Sequence, residues 1–252
     1  MTDILTIDAG NTRVKWGLFD TYGVMLEHGA CLHCDLANMR LPEASRIVIS
    51  NVAGTQIRAQ LEQILPKNIS INWINAQASA CGVTNSYEQP KTLGTDRWAA
   101  LVAAWHINNQ PSIVVNAGTA ITIDVLNETG IFLGGTIMPG LRLMHDSLGH
   151  NTANLAVNLG EVKPFPINTQ DAITTGCMNA ALGAILITAE RLQAHYNRPP
   201  AIIITGGDAV NIKENLINEV TKQAIIVDNL VLQGLYLLEK LIPQTIKKSD
   251  PQ

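Results

Sequence analysis

The sequence predicts an α/β protein built as two similar lobes, residues 1–111 and 112–252, each a mixed five-stranded sheet flanked by helices. Three observations lead there. A strand–turn–strand design with a polar tip stands at Ile7–Lys15 and returns at Ile113–Asp124. After each copy, apolar β-branched runs alternate with helical spacing, the pattern of sheets covered by helices. The composition, 46% hydrophobic but only 4% aromatic, suits buried strands rich in Ala and Ile. At 252 residues the chain has room for one large domain or two ordinary ones, and a repeat on this scale is far longer than a solenoid's.

In the first copy Ile4, Leu5 and Ile7 lead in, and Val14, Trp16, Leu18 and Phe19 lead out. Asp8, Gly10, Asn11 and Thr12 form the tip. Gly10 is expected to take the positive φ of a tight turn. Backbone N–H groups and the Thr12 hydroxyl then converge as an anion nest. Asp8, ending a buried strand, is placed to hold a hydrated Mg²⁺ beside that anion. Alone, the stretch fits an ordinary hairpin turn equally well. The second copy carries Asn116 in place of Asp8, then Ala117, Gly118 and Thr119. Two phosphate-type turns, one per lobe and facing each other, describe a nucleotide held in a cleft between lobes.

Between the copies, Val24–His28 reads as a third strand and Arg46–Val52 as a buried one. Gln56–Leu65 has helical spacing stopped by Pro66, and Ile69–Ile74 alternates as a short strand. From Ala78 to Thr95 periodicity disappears, and Gly82, Pro90 and Gly94 punctuate a polar loop. It ends at Leu93-Gly94-Thr95-Asp96-Arg97, and Trp98–Ile107 reads as a helix. Thr95 or Asp96 is either its N-cap or, for Asp96, a base facing the cleft, with Arg97 available to an anionic substrate group; spacing leaves both open.

Pro111 marks the lobe boundary. After the second turn come a strand at Ile131–Ile137, Pro139-Gly140, a helix from Leu141, and a loop at Asn151–Pro166. Thr169 is a plausible cap for a long helix to about His195, rich in Ala and Gly. Ala201–Thr205 is a buried strand, and Gly206-Gly207 turn into a helix where a ring or phosphate can approach the backbone. Ala224–Val227 closes the sheet, and Leu230–Leu241 is a final helix before Pro243. Hairpins followed by strand–helix alternation in each half describe an actin-like (ribonuclease H-like) nucleotide fold.

The net charge is −4, with no basic block except Lys247 and Lys248, which disfavours nucleic acid. Asp3 and Asp8 stand where a signal peptide needs basic and apolar residues. The longest smooth apolar stretch, Ala180–Ala189, is too short for a bilayer, so a cytoplasmic protein without a membrane partner is expected. Cys31-Leu32-His33-Cys34 has the spacing of half a zinc site or a redox pair. No second pair follows, and with Cys81 and Cys177 these read as reduced thiols without special role.

Taken together, Asp8 through Lys15, Gly94–Arg97, Ala117–Ala120, Gly134-Gly135 through Pro139-Gly140, Asn168-Thr169 and Thr205–Gly207 resemble the type III pantothenate kinases. These belong to the acetate and sugar kinase/Hsp70/actin superfamily. The match spans almost the whole chain, and its specificity lies in order and spacing. The resemblance implies ATP-dependent phosphorylation of the primary hydroxyl of pantothenate, the first step of coenzyme A synthesis. It also implies a homodimer, Mg²⁺, and a monovalent cation, K⁺ or NH₄⁺. It puts Asp8, Ala9, Gly10, Asn11, Thr12, Arg13, Val14 and Lys15 around the ATP phosphates, with Asp8 near Mg²⁺ through water. Thr119 reaches the phosphates from the other lobe, and Gly206 and Gly207 lie near adenosine. Asp96 becomes the general base, and Tyr87, Gly94, Thr95, Asp96, Arg97 and Thr169 become pantothenate contacts. The family usually has Asp where Asn116 stands, so the cation site is in doubt. The rival readings are a nucleotide-regulated binding protein or accessory factor, and a kinase of another small hydroxylated substrate on the same fold.

Overall fold

A computed structural model of the chain describes residues 3–151, 158–216 and 223–241. The chain runs β1 (Ile4–Ala9), β2 (Arg13–Phe19), β3 (Met25–Leu32), a 3₁₀ turn (His33–Asn38), β4 (Arg46–Asn51), α1 (Thr55–Ile64) and β5 (Ser70–Trp73). Then come β6 (Ser79–Ala80), β7 (Val83–Asn85), α2 (Thr95–Asn108), β8 (Ser112–Ala117), β9 (Ala120–Leu126) and β10 (Ile131–Pro139). The rest is α3 (Leu141–Asn151), α4 (Thr169–Tyr196), β11 (Ala201–Thr205), α5 (Ala209–Asn215), β12 (Ile225–Ile226) and α6 (Leu230–Leu241). The described residues of 1–109, 130–132 and 229–252 form one compact unit, and those of 110–129 and 133–228 form the other.

The first unit holds a sheet in the order β3-β2-β1-β4-β5. β1 pairs antiparallel with β2 and parallel with β4, so hairpins lie on one side and parallel strands on the other. The alternation along β1 explains the packing. Leu5, Ile7 and Ala9 join Ile47, Ile49, Ile57 and Leu61 in one core under α1. Each fully buried Leu or Ile there contributes about 1.5–3 kcal/mol of transfer energy. α6 returns to this unit and packs against α2, with Gly234 at the closest approach: a Cβ there would lie 1.8 Å from the Ala99 carbonyl oxygen. Only glycine permits that crossing.

The second unit repeats the topology. Its strands run β12-β11-β8-β9-β10, with β8 antiparallel to β9 and parallel to β11, and pairing of β10 with β7 makes the sheet seven-stranded, through β7 to β6, where five strands were expected. Ile113, Val115, Ile121, Ile123, Ile202 and Ile204 face a core closed by α4 and α5. α4 is 28 residues long and, by length and composition alone, apolar enough to cross a membrane, at a mean hydropathy of 1.6. The reading of Ala180–Ala189 as too short therefore needs correcting: Thr, Gly, Cys and Met extend the apolar run on its N-terminal side, while Glu190 and Arg191 close it at the other end. Ala181, Ile185, Ala189 and Leu192 form a helical stripe that packs on the sheet, as a core helix does.

Local expectations need four further adjustments. The 78–95 segment is not uniformly irregular: it contains β6 and β7, which pair antiparallel, and β7 pairs in parallel with Ile131 and Phe132. α2 begins at Thr95 behind the N-cap Gly94, so Thr95 and Asp96 lie in its first turn and neither caps it. At α4 the cap is Asn168, whose side chain accepts the Asp171 N–H at 2.9 Å, and Thr169 is the first helical residue. Gly10 does not adopt a positive φ; the β1–β2 turn closes by the Gly10 N–H donating to Arg13 O at 3.1 Å. Part of the expected 151–166 loop, Pro243, Lys247 and Lys248 lie outside the described residues.

Candidate active site

In the first unit the site grows from a row of cross-strand partners. Asp8 on β1 lies opposite Lys15 on β2 and beside Ser50 on β4. Strand registry therefore aligns an ammonium, a carboxylate and a hydroxyl on one face of the sheet. The turn Gly10-Asn11-Thr12 rises from the same strand end. A ring nitrogen of His33, at the start of the 3₁₀ turn, lies 2.8 Å from the Gly10 carbonyl oxygen. That contact steadies the turn from behind and accounts for part of the Cys31–Cys34 segment. Cys31 itself sits 3.4 Å from the Met39 sulfur. All four cysteines are free, and among the described residues no group of three His, Cys, Asp or Glu is placed to hold a metal.

Helix α2 brings the other half of this cluster. Thr95 Oγ1 is 2.8 Å from Ser50 Oγ. Asp96 Oδ1 accepts the Arg97 N–H at 2.8 Å. A Cβ on Gly94 would lie 2.6 Å from that same Oδ1, so glycine at 94 makes space for the carboxylate. Arg97 is 5% exposed, donates to the Tyr87 hydroxyl at 2.9 Å, and lies over the Tyr87 and Phe132 rings. Tyr87, Asp96 and Arg97 thus form one connected group, in which the guanidinium lies against the paired Tyr87 and Phe132 rings.

Electrostatics single out the two carboxylates. Burial, reinforced by the Asp96 charge, pushes Asp8 from the ordinary 3.8 up to about 7, against the opposing pull of Lys15 and the Ser50 hydroxyl. Burial also raises Asp96, while the Arg97 N–H and charge pull it down. Asp8 Oδ1 is sealed from solvent and has no hydrogen-bond partner among the described residues. An anionic oxygen left that way costs free energy unless a cation or its water completes it. The donor set, a carboxylate oxygen beside hydroxyls, is hard and suits Mg²⁺ held through water.

In the second unit, Asn116, Ala117, Gly118 and Thr119 end β8 and make the turn into β9. Two glycines clamp it. Gly140 donates its N–H to Thr119 O at 2.9 Å, and a Cβ there would be 2.2 Å from Gly118 O. Gly206 has φ +104°, and a Cβ on it would lie 2.3 Å from Ala117 O, the oxygen that accepts the Asp208 N–H at 3.1 Å. Gly207 has nothing within 4 Å of its Cβ position and leaves open backbone, as a site for a flat ring requires. Thr169 lines a cavity of about 820 Å³ with Met144, Leu148, Ile167, Ile173 and Cys177.

Ser50 was not singled out from sequence, and His33 and Gly140 were read only as members of the Cys31–Cys34 segment and the Pro139-Gly140 motif, without these contacts. A β4 register placing Ser50 beside Asp8 is the one signal that would have found Ser50.

The profile of the type III pantothenate kinases matches residues 4–191. A type III pantothenate kinase from Nitrosospira multiformis is 40% identical over 248 residues, covering 96% of this chain and 93% of its own. One from Aromatoleum aromaticum is 41% identical over 245 residues, covering 94% and 98%. Among solved structures, a protein described as a Baf-family transcriptional activator from Campylobacter jejuni has a TM-score of 0.63 at 23% identity, covering 94% of this chain and 97% of its own, a likeness of fold. The chain belongs to the type III pantothenate kinase family.

Proposed function

We propose that this chain transfers the γ-phosphoryl group of ATP to the primary hydroxyl of pantothenate, giving 4'-phosphopantothenate and ADP, the first step of coenzyme A synthesis. Family membership supports the substrates. The observation that carries the chemistry is the Asp8–Asp96 pair, two carboxylates with raised pKa, one ending a strand and the other opening a helix. Perturbed carboxylates of this kind mark sites where charge and protons are managed.

Phosphoryl transfer passes through a loose transition state, so alignment and charge neutralisation dominate. In this reading the turn from Ala9 to Val14, with the Thr12 hydroxyl and Lys15, receives the phosphates. Thr119 contributes a further phosphate contact, and Gly206 and Gly207 lie by the adenosine. Mg²⁺, held by Asp8 through water, would supply charge neutralisation when bound. A free aspartate, with a pKa near 3.9, is far too weak a base to ionise an alcohol beforehand. Asp96 therefore accepts the hydroxyl proton as the new P–O bond forms and the bond to the β-phosphate breaks. Its raised pKa makes it a better proton acceptor than an exposed aspartate. Tyr87, Gly94, Thr95, Arg97 and Thr169 orient pantothenate.

Asn116 offers K⁺ or NH₄⁺ an amide oxygen without charge, so the monovalent-cation requirement is weak or absent. A cytoplasmic homodimer completes the reading. ADP release measured with pantothenate, against sugars and acetate as alternative acceptors, tests it. Turnover only with pantothenate is expected. Turnover only with another acceptor, or nucleotide binding without turnover, would replace it with one of the rival readings.

A further inference from the structure

His33 opens the 3₁₀ turn His33–Asn38, and its half-buried ring reaches back to the β1–β2 turn, where Nε2 lies 2.8 Å from the Gly10 carbonyl oxygen. A carbonyl oxygen only accepts, so the bond runs from the Nε2–H of His33 to Gly10. The neutral ring is thereby assigned the Nε2–H tautomer, and a protonated ring carries the same hydrogen. The direction of this bond holds in either state.

The two faces of the first unit's sheet tell which way the carbonyl is pulled. Leu5, Ile7 and Ala9 of β1 and Ile49 of β4 point to one face, where they pack with Leu36 of the 3₁₀ turn and Ile57 and Leu61 of α1. Cys31 and Met39, on either side of His33, pack against the same cluster. Side chains alternate along a strand, so Asp8 and Ser50 point to the other face. There Ser50 meets Thr95 at the start of α2, next to Asp96. His33 therefore draws the Gly10 oxygen toward the α1 face. A peptide unit is planar and trans, with its C=O and N–H pointing in opposite directions. The N–H of Asn11, in the same plane, is turned the other way, toward the face of Asp8 and Asp96. Asn11 is exposed, and its N–H has no partner among the described residues, whereas the Gly10 N–H is already spent on Arg13 O.

We propose that His33 is a positioning residue for phosphate binding: by holding the Gly10 carbonyl, it fixes the Gly10–Asn11 peptide so that the Asn11 N–H is offered to a phosphate oxygen of the nucleotide. The inference rests on the ATP site of the pantothenate kinase reading and deepens it by naming the side chain that aims one donor of that site. His33 touches no phosphate and acts through the peptide. Were the peptide to flip, a carbonyl oxygen would face the phosphate and repel it. The residue between Cys31 and Cys34 thus has a task that needs neither thiol.

The test uses the full chain with His33→Leu, which fills similar space without a donor, and His33→Gln, whose side-chain N–H can stand in for Nε2–H. Titration calorimetry with a non-hydrolysable ATP analogue and Mg²⁺ is expected to give a Kd about fivefold weaker for His33→Leu, the effect of one neutral hydrogen bond, and within about twofold of the parent for His33→Gln. KM for pantothenate is expected to stay within about twofold in both, whereas general loosening of the unit would raise it along with Kd. In amide NMR spectra, the Asn11 proton is expected to move downfield when the analogue is added to the parent and to His33→Gln, and to move less in His33→Leu. An unchanged Kd in His33→Leu, a His33→Gln as weak as His33→Leu, equal losses in Kd and in KM for pantothenate, or an Asn11 proton in the parent that ignores the analogue overturns the role of His33 and leaves the kinase reading intact. A parent that binds the analogue but does not turn over pantothenate overturns the kinase reading alone, and one that binds no analogue overturns both. Should His33→Leu fail to fold, His33→Ala takes its place, and if neither folds the Asn11 response in the parent and in His33→Gln decides.

Discussion

Replacing Asp96 by Asn tests the proposed base with little disturbance to its surroundings. The substitution keeps size and shape, and an amide oxygen can accept the Arg97 N–H as Oδ1 does at 2.8 Å. The space left by Gly94 fits either side chain. What is lost is the proton acceptor and one negative charge. A positioned general base contributes about 10²–10⁴-fold, or about 2.7–5.4 kcal/mol of transition-state stabilisation. A fall in kcat of at least about tenfold is therefore expected, a threshold set an order of magnitude below the usual contribution of a base. The charge acts separately. A carboxylate in the first turn of a helix is worth about 0.3–1 kcal/mol, so Tm is expected to move by only a few degrees. Asp96 also pushes the Asp8 carboxyl upward, so its removal lets Asp8 ionise more readily and leaves ATP affinity nearly unchanged. Steady-state ADP release with pantothenate gives kcat, and calorimetric titration with an ATP analogue gives affinity. Unchanged turnover would remove Asp96 from the mechanism. A loss of ATP affinity as large as the loss of kcat would show that the residue serves nucleotide binding instead.

Asp8 makes stability depend on pH. Its carboxyl titrates at about 7 in the fold against 3.8 ordinarily, so between those values the folded state keeps a proton that the unfolded chain has released. Stability contributed by that proton is full below about 4 and is lost as pH rises through 7. The metal-free Asp8→Asn variant should therefore gain Tm over the parent progressively from pH 4 to 7.5, and added Mg²⁺ should narrow the gap; a gap independent of pH would refute the burial argument. Gly206→Ala forces a Cβ to 2.3 Å from Ala117 O at φ +104°, and a loss of about 1–3 kcal/mol is expected. A Tm equal to the parent's would mean that the turn relaxes freely. Turnover across a KCl and NH₄Cl titration should show weak activation or none, given the neutral amide at Asn116, and steep activation by either ion would count against it.

Much of the local structure was legible in the residues. Alternation around Asp8 and Asn116 marks both hairpins, Ala201–Thr205 is a strand as its run of Ile suggests, and Leu230–Leu241 is the final helix. The repeat of Asp8-Ala9-Gly10 as Asn116-Ala117-Gly118 pointed to the same topology built twice. Periodicity encodes which side of an element is apolar, and that is a property of neighbours in sequence. β6 and β7 escaped because strands as short as Ser79–Ala80 are too brief to show a period.

Other features needed the chain to close on itself. Nothing near Ser50 in sequence announces Asp8 or Thr95; β-sheet registry and a helix start 45 residues away bring the three together. Nothing near Gly140 or Gly206 foretells the carbonyl oxygens of Gly118 and Ala117 against which they pack. The pKa of Asp8 is likewise a tertiary quantity, since a carboxylate is held near 7 by the burial and charges the fold puts around it, not by its own chemistry. Sequence by itself determined which residues could bear charge, turn the chain or fill a core. Only folding decided which of them became neighbours, because hydrogen bonds and desolvation act over a few ångströms of space and are blind to distance along the chain.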